Sequence, residues 1–261
     1  MPDPAVVVAM REFKRGLLAR EAGQMREMAQ QWLQVEARLA DLIDGTARDF
    51  NERLQDGKTI TPAALYRLER YKRLRAQARD QFGEYAEWAS GSLTTYQEGS
   101  IRLGLDHSAQ AIQLSYWPDS VGIYFDRLPV EAVINQAGLA GNGRPVGELL
   151  RNRMVTQDQD VWQRLVNNLV RGTALGRNPR DVARDMRDDL AGGLNKALVI
   201  ARTEGLRPYR EVGRSQYEKS GVVTGQKRLC GHDGRVCAAC LADEGTVYGL
   251  REVISDHPQG R

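Results

Sequence analysis

No stretch of this 261-residue chain is apolar enough for a helix to cross a membrane; none approaches the roughly 18 residues that a span needs. Charge of one sign is missing too. Lys and Arg number 37 against 34 Asp and Glu, and residues 1–115 carry as many acidic as basic side chains. Neither part of the chain is an electrostatic magnet for a polyanion. The N-terminal stretch MPDPAVVVAMREFKRG has a short apolar patch with no basic region before it and no clear small-residue cleavage site, so no export signal is expected. Cysteine is confined to three residues, all after residue 229. In a chain with no export signal, so few thiols argue against a disulfide framework and for metal ligands or buried thiols. There is no internal repeat and no low-complexity tract. The Gly-rich stretch from Gly138 to Arg151 lacks the spacing and the lysine of a phosphate loop, so it reads as a structural turn.

What is present is helical periodicity. From Arg20 to Leu54, apolar residues fall at Met25, Met28, Trp32, Val35, Leu39, Leu42 or Ile43, Ala47, Phe50 and Leu54. Steps of three and four predict one amphipathic helix, which at 1.5 Å per residue would run roughly 50 Å. Asp56-Gly57 predicts its stop, and Thr61-Pro62 a restart, with Thr61 as cap and Ile60 stapling against Leu65. The second helix carries Leu65, Leu68, Tyr71, Leu74, Ala78, Phe82 and Tyr85, and the rhythm continues through Leu93, Tyr96 and Leu103 to about Leu114. Within it, Arg67 to Arg79 is the densest basic run. It reads as a solvated helix face or as a contact for a nucleic-acid backbone or an acidic protein ring.

After Trp117-Pro118 the expectations are a short strand at Val121 to Phe125, a short helix from Leu128 to Ala137 and a helix opening near Pro145. Further helices are expected near Asp160–Gly172, Asn178–Leu190 and Leu194–Ser220. Gly192-Gly193 reads as the break before the last, and Pro208 as a kink within it. Beyond Gly221, Val222–Thr224, Lys227–Leu229 and Thr246–Tyr248 are β-prone runs bounded by glycine. The expected fold class is therefore mainly α with a small C-terminal β module (α+β). Its domains are a long helical hairpin arm at 1–117, a central helical bundle at 118–221 and a Cys-containing β-hairpin cap at 222–261.

Candidate chemistry gathers in that cap. Thiolates two residues apart on a turn can reach one tetrahedral ion at about 2.3 Å; Cys237 and Cys240 have that spacing, and Cys230 and His257 could complete a set for zinc. The alternative is a cluster of reduced cysteines packed in a small core. No βαβ context precedes the C-x-x-C, which argues against thioredoxin-like chemistry. Asp233, Arg235, Asp243 and Glu244 flank the knuckle and suit turn chemistry with an ion pair. Arg202 and Glu204, two apart on a helix, face different ways. The expectation is an ion pair with the β module.

Taken in order, these motifs resemble one family. Ile200-Ala201-Arg202-Thr203-Glu204, a helix, then Asp233-x-Arg235-x-Cys237-x-x-Cys240, then Gly245-x-Val247-Tyr248, then His257-Pro258 is similar to the phage Mu F-like head morphogenesis family, the minor head proteins of tailed phages. Leu128 to Leu150 resembles the family's upstream P-V-E-A-V helix, Gly-rich turn and following helix, so the resemblance covers residues 120–261. Members commonly continue H-P-x-C-R-C; here Gly260 follows and the sequence ends at Arg261, which would cut the motif before a further cysteine. The resemblance implies a non-enzymatic virion component inside the head near the portal vertex, assembled in the host cytoplasm and supporting capsid assembly and DNA packaging or delivery. Its implied partners are the portal protein, the major capsid or scaffolding protein, packaged DNA and further copies through the helical arm, with no membrane. It gives Arg202, Thr203, Glu204, Asp233 and Arg235 a structural role. The readings from other classes are an HNH-type metal-dependent nuclease, since Cys237-x-x-Cys240 followed by Asp256-His257 mimics the start of that motif, and a zinc-ribbon nucleic-acid-binding module.

Overall fold

The computed structural model describes residues 4–58, 61–115, 137–156, 159–230 and 236–252. Helix α1 runs from Ala5 to Gln55, starting a good four turns before the expected position. Its first turn is set by Pro4, whose carbonyl accepts from Val7 and Val8 at 2.9 and 3.2 Å, and Val6 to Val8 carry the helix on despite their β-branching. The predicted stripe is the buried face: Met28, Trp32, Val35, Leu39, Ile43, Ala47 and Phe50 are all at most 5% exposed. Ile43 and not Leu42 takes the ambiguous position. Gly57 ends the helix at φ 68°, a left-handed conformation that costs glycine little, and the Lys58 amide closes back on Arg53 at 2.9 Å.

Thr61 caps the restart, accepting from the Ala64 amide at 3.2 Å, but the helix it opens is short. Helix α2 (Pro62–Tyr66) stops after five residues and α3 (Glu69–Ser115) begins beyond Leu68. Across that break the Tyr66 and Tyr71 rings meet edge to face at 5.6 Å. Ile60 lies outside the described residues. Gly91, Gly99 and Gly104 do not interrupt α3. Toward its end, the buried face passes through Ile101, Leu105, Ser108 and Ile112, while the expected Leu103 and Leu114 are only half-buried.

The remaining elements are α4 (Val146–Arg151), a π-helical turn at Asn152–Thr156, α5 (Gln159–Ala174), α6 (Pro179–Gly205), α7 (Arg207–Lys219), β1 (Gly225–Lys227), α8 (Ala238–Ala242) and β2 (Val247–Gly249). The fold is mainly α with a small C-terminal β module. The strand and helix expected between residues 121 and 136 lie outside the described residues. Two expectations are corrected. Gly192-Gly193 sits inside the unbroken α6, where a Cβ on Gly193 would lie 3.2 Å from Cη2 of Trp32; glycine is there for close approach and not as a break. Pro208 lies in the first turn of α7, where its missing N–H has no partner to lose, and the single kinked helix expected there is instead two helices, broken at Leu206. Among the described residues no helix is long and apolar enough to cross a membrane.

Two compact units emerge, neither contiguous in sequence. One comprises Glu21–Tyr96 and Gly138–Gly205. In it α1 and α3 run antiparallel: Gln24 bonds Ser92, Tyr85 donates to the Met28 carbonyl, and Arg38 bonds Gln81. The Trp32 ring stacks on Phe82 and meets Tyr85 edge-on, both at 5.2 Å. Helix α6 completes this core, tied to α1 by Arg187–Asp44 at 2.6 Å. The basic residues from Arg67 to Arg79 are solvent-exposed, and among them Arg70 pairs with Asp49 and Lys72 with Glu69.

The other unit comprises Met1–Arg20, Gln97–Ala137 and Leu206–Arg261. Ile101, Leu105 and Val212 form its apolar cluster, with Ala137 against it. His107 stacks on Phe13 at 3.8 Å and shares a 3.0 Å hydrogen bond with the Tyr209 hydroxyl. Burial pushes His107 below its ordinary pKa and Tyr209 up to about 12. On the same face of α7 as Val212, Gln216 is fully buried with neither amide atom hydrogen-bonded. A buried polar group without a partner costs about 1–3 kcal/mol. Gln216→Met, which keeps the shape and removes the amide, should therefore raise unfolding stability by about 1–2 kcal/mol in chemical denaturation; a loss of stability would mean that the amide contributes after all.

Candidate functional site

Strands β1 and β2 pair antiparallel, with Gly225 opposite Gly249, Gln226 opposite Tyr248 and Lys227 opposite Val247. The ladder extends through the Arg228 amide to the Thr246 carbonyl and the Gly245 amide back to the Arg228 carbonyl, both 2.9 Å. The expected strand at Val222–Thr224 is instead an irregular stretch just beyond the end of α7. The Val222 and Val223 amides are taken by the Ser220 hydroxyl at 3.4 and 3.3 Å.

Arg228 ties together the described residues on either side of the connection between the strands. Its guanidinium pairs with Asp243 at 3.2 Å and approaches the Cys240 sulfur at 3.9 Å. Asp243 also accepts from the Tyr248 hydroxyl at 2.6 Å, and that bond holds the phenol proton above its usual pKa. With both side chains of the ion pair less than a third exposed, the pair ties β1 to the end of α8 in a module whose described residues include no fully buried side chain. Such small units need a staple. From sequence, Asp243 suits turn chemistry with an ion pair, but its partner is not marked; the available signal is that Arg228 lies inside the β-prone run Lys227–Leu229, fifteen residues before an Asp-Glu pair.

The three cysteines sit in this connection, all free and half-buried. Cys237 is the N-cap of α8, its sulfur accepting from the Cys240 amide at 3.4 Å. That bond, with a second from the Cys240 thiol, lowers the Cys237 pKa. The same thiol–thiol contact raises that of Cys240. Cys230 points elsewhere. Its thiol donates to the Cys240 carbonyl at 2.9 Å, and its amide is held by Glu244 at 3.3 Å. Among the described residues no three His, Cys, Asp or Glu side chains form a group that could hold a metal ion. The Cys230 thiol is thus engaged with a main-chain carbonyl, apart from the Cys237–Cys240 contact. The fourth candidate, His257, lies outside the described residues, as do Asp233 and Arg235.

The A-R-T-E segment occupies the end of α6. Arg202 pairs with Glu21 on α1 at 2.7 Å. Thr203 bonds back to the Val199 carbonyl at 2.9 Å. Glu204 reaches the Gly-rich turn, where its carboxylate accepts from the Gly141 amide at 3.0 Å. Arg202 and Glu204 thus face different ways, as their spacing requires. The turn itself is closed by Ala140 to Arg144 and Val146 to Gly138, both 2.7 Å, with Gly143 at φ 75°. Compared with protein-family models, with curated proteins and with solved structures, the chain matches none.

Proposed function

We propose that this chain is a minor head protein of a tailed phage, docked at the portal vertex inside the capsid and acting there by adhesion without turnover. One observation carries the reading. The Gly-rich turn and the A-R-T-E motif, by which the chain resembles the Mu F-like head morphogenesis family, stand 63 positions apart, yet Glu204 and Gly141 are hydrogen-bonded. A carboxylate that fastens a glycine turn is a structural device, and a structural role is what the resemblance implies for Glu204. The same is true downstream, where the C-x-x-C, Asp243 and Tyr248 are drawn into one stapled module. Such a module suits a rigid contact surface for the portal protein or for the major capsid or scaffolding protein.

Procapsids assembled with the portal protein of the same phage should take up the full chain, and shells lacking the portal should not. A chain ending at Ser220 should be taken up roughly tenfold less or worse, the effect of about 1.4 kcal/mol of lost contact. Equal uptake with and without the portal would overturn the docking. Incubation with plasmid and magnesium, manganese or zinc should leave the DNA intact. Cleavage that disappears in His257→Ala would replace this reading with the HNH-type nuclease.

A further inference from the structure

The geometry points to a modification site in the β module: Cys237 and Cys240 form a dithiol that a low-molecular-weight disulfide oxidises to an intramolecular disulfide, leaving Cys230 as a thiol. The chemistry stands apart from the head-protein reading. Three observations select the pair. The Cys240 amide hydrogen-bonds to the Cys237 sulfur at 3.4 Å, which turns the Cys237 sulfur onto the residue that must resolve it. Both residues are half-buried and so open to a small reagent. Cys230, although near, gives its thiol proton to the Cys240 carbonyl and not to a sulfur.

Residues three apart at a helix start have Cβ atoms roughly 5–6 Å apart, and a disulfide wants about 3.8 Å. Closure therefore draws the first turn of α8 together by about 2 Å. Cys237 can supply that movement because it is an N-cap with extended backbone, φ −81° and ψ 162°, outside the helical ladder. Arg228, 3.9 Å from the Cys240 sulfur, stands by the group that must give up its proton second.

The exchange balances with oxidised glutathione as the oxidant. The Cys237 thiolate attacks one glutathione sulfur, the glutathione S–S bond breaks, and one glutathione leaves while the other is held as a mixed disulfide. Cys240 loses its proton to solvent and attacks the Cys237 sulfur, releasing the second glutathione. The protein gives up two electrons and two protons, and one disulfide becomes two thiols. Reducing cytoplasm keeps such a pair open and an oxidising exterior closes it. On the head-protein reading, closure would follow release of the particle from the host.

The full chain, treated with a chelator, would be equilibrated with oxidised and reduced glutathione, quenched by alkylation and mapped by mass spectrometry. The expected product is one Cys237–Cys240 disulfide with Cys230 alkylated, unchanged in Cys230→Ser. Cys240→Ser should accumulate glutathione on Cys237, because the resolving thiol is gone. A disulfide that includes Cys230, glutathione trapped on Cys240 in place of Cys237, or three alkylated cysteines at a ratio that oxidises a C-x-x-C peptide would each overturn the assignment. None of these results depends on portal docking.

Discussion

Trp32→Ala should destabilise the protein by about 3–5 kcal/mol, the range for truncating a buried aromatic. Trp32 is 1% exposed and is the largest fully buried side chain among the described residues. It is also where three elements of its unit meet. Phe82 and Tyr85 of α3 lie against its faces and edge, and Gly193 of α6 approaches its ring tip. Truncation removes these contacts together and leaves a void that glycine cannot help to fill. Trp32→Phe keeps most of the area but loses the 2.8 Å bond from the indole N–H to Glu36, so it should cost only about 1 kcal/mol. Urea denaturation of both variants measures the difference. A loss below about 1.5 kcal/mol for Trp32→Ala would mean that the site collapses freely and that Trp32 is not the keystone of its unit.

Gly104→Leu should cost about 2 kcal/mol net, the overpacking penalty of up to about 3 kcal/mol less about 1 regained from replacing glycine in a helix. A Cβ at Gly104 would lie 2.9 Å from the Tyr209 carbonyl oxygen and 3.3 Å from its Cα. Backbone atoms cannot step aside as a side-chain tip can, so α7 has to shift. The control is Gly91→Ala on the same helix, where nothing lies within 4 Å; it should stabilise by about 0.5–1 kcal/mol. His107 reports the shift independently, because its partner is the Tyr209 hydroxyl. Burial depresses its pKa in the folded state, so the neutral form is favoured by folding. That stability is whole above the unfolded value of about 6.5 and is lost as pH falls below it toward the folded value. In Gly104→Leu the His107 pKa, followed by NMR, should rise toward the unfolded value. An unmoved His107 would show that the helices absorb the change without opening.

The long helices were legible because burial enforces a period: each of Trp32, Leu39, Ile43 and Phe50 had to land on one face. Breaks were legible only where local chemistry decides them. Gly57 and Thr61-Pro62 act through their own backbone and could be read directly. The stop between Tyr66 and Glu69 carries no glycine or proline and could not. Gly192-Gly193 misled for the opposite reason, since Trp32 lies some 160 positions earlier and nothing nearby announces that a ring needs the space. In the β module the Cys237–Cys240 contact followed from spacing, whereas Cys230 was grouped with them by element type alone. Its actual partner is a carbonyl, which every residue possesses and no pattern can flag. The link from Glu204 to Gly141 was invisible for the same reason, its acceptor being a side chain and its donor a main-chain amide.

The antiparallel register of α1 and α3 within their shared unit also bears on how this gene can change in length. Inserting one residue in either helix turns everything beyond it by about 100°, carrying the next buried side chains off the contact face. Two turns, seven residues, nearly restore the facing, and eleven do so with opposite drift. The two helices would also have to change together to keep Tyr85 against the Met28 carbonyl and Gln24 against Ser92. Natural length variants of this hairpin should therefore come in paired steps of seven or eleven residues, with insertions of other lengths confined to the turn around Gly57.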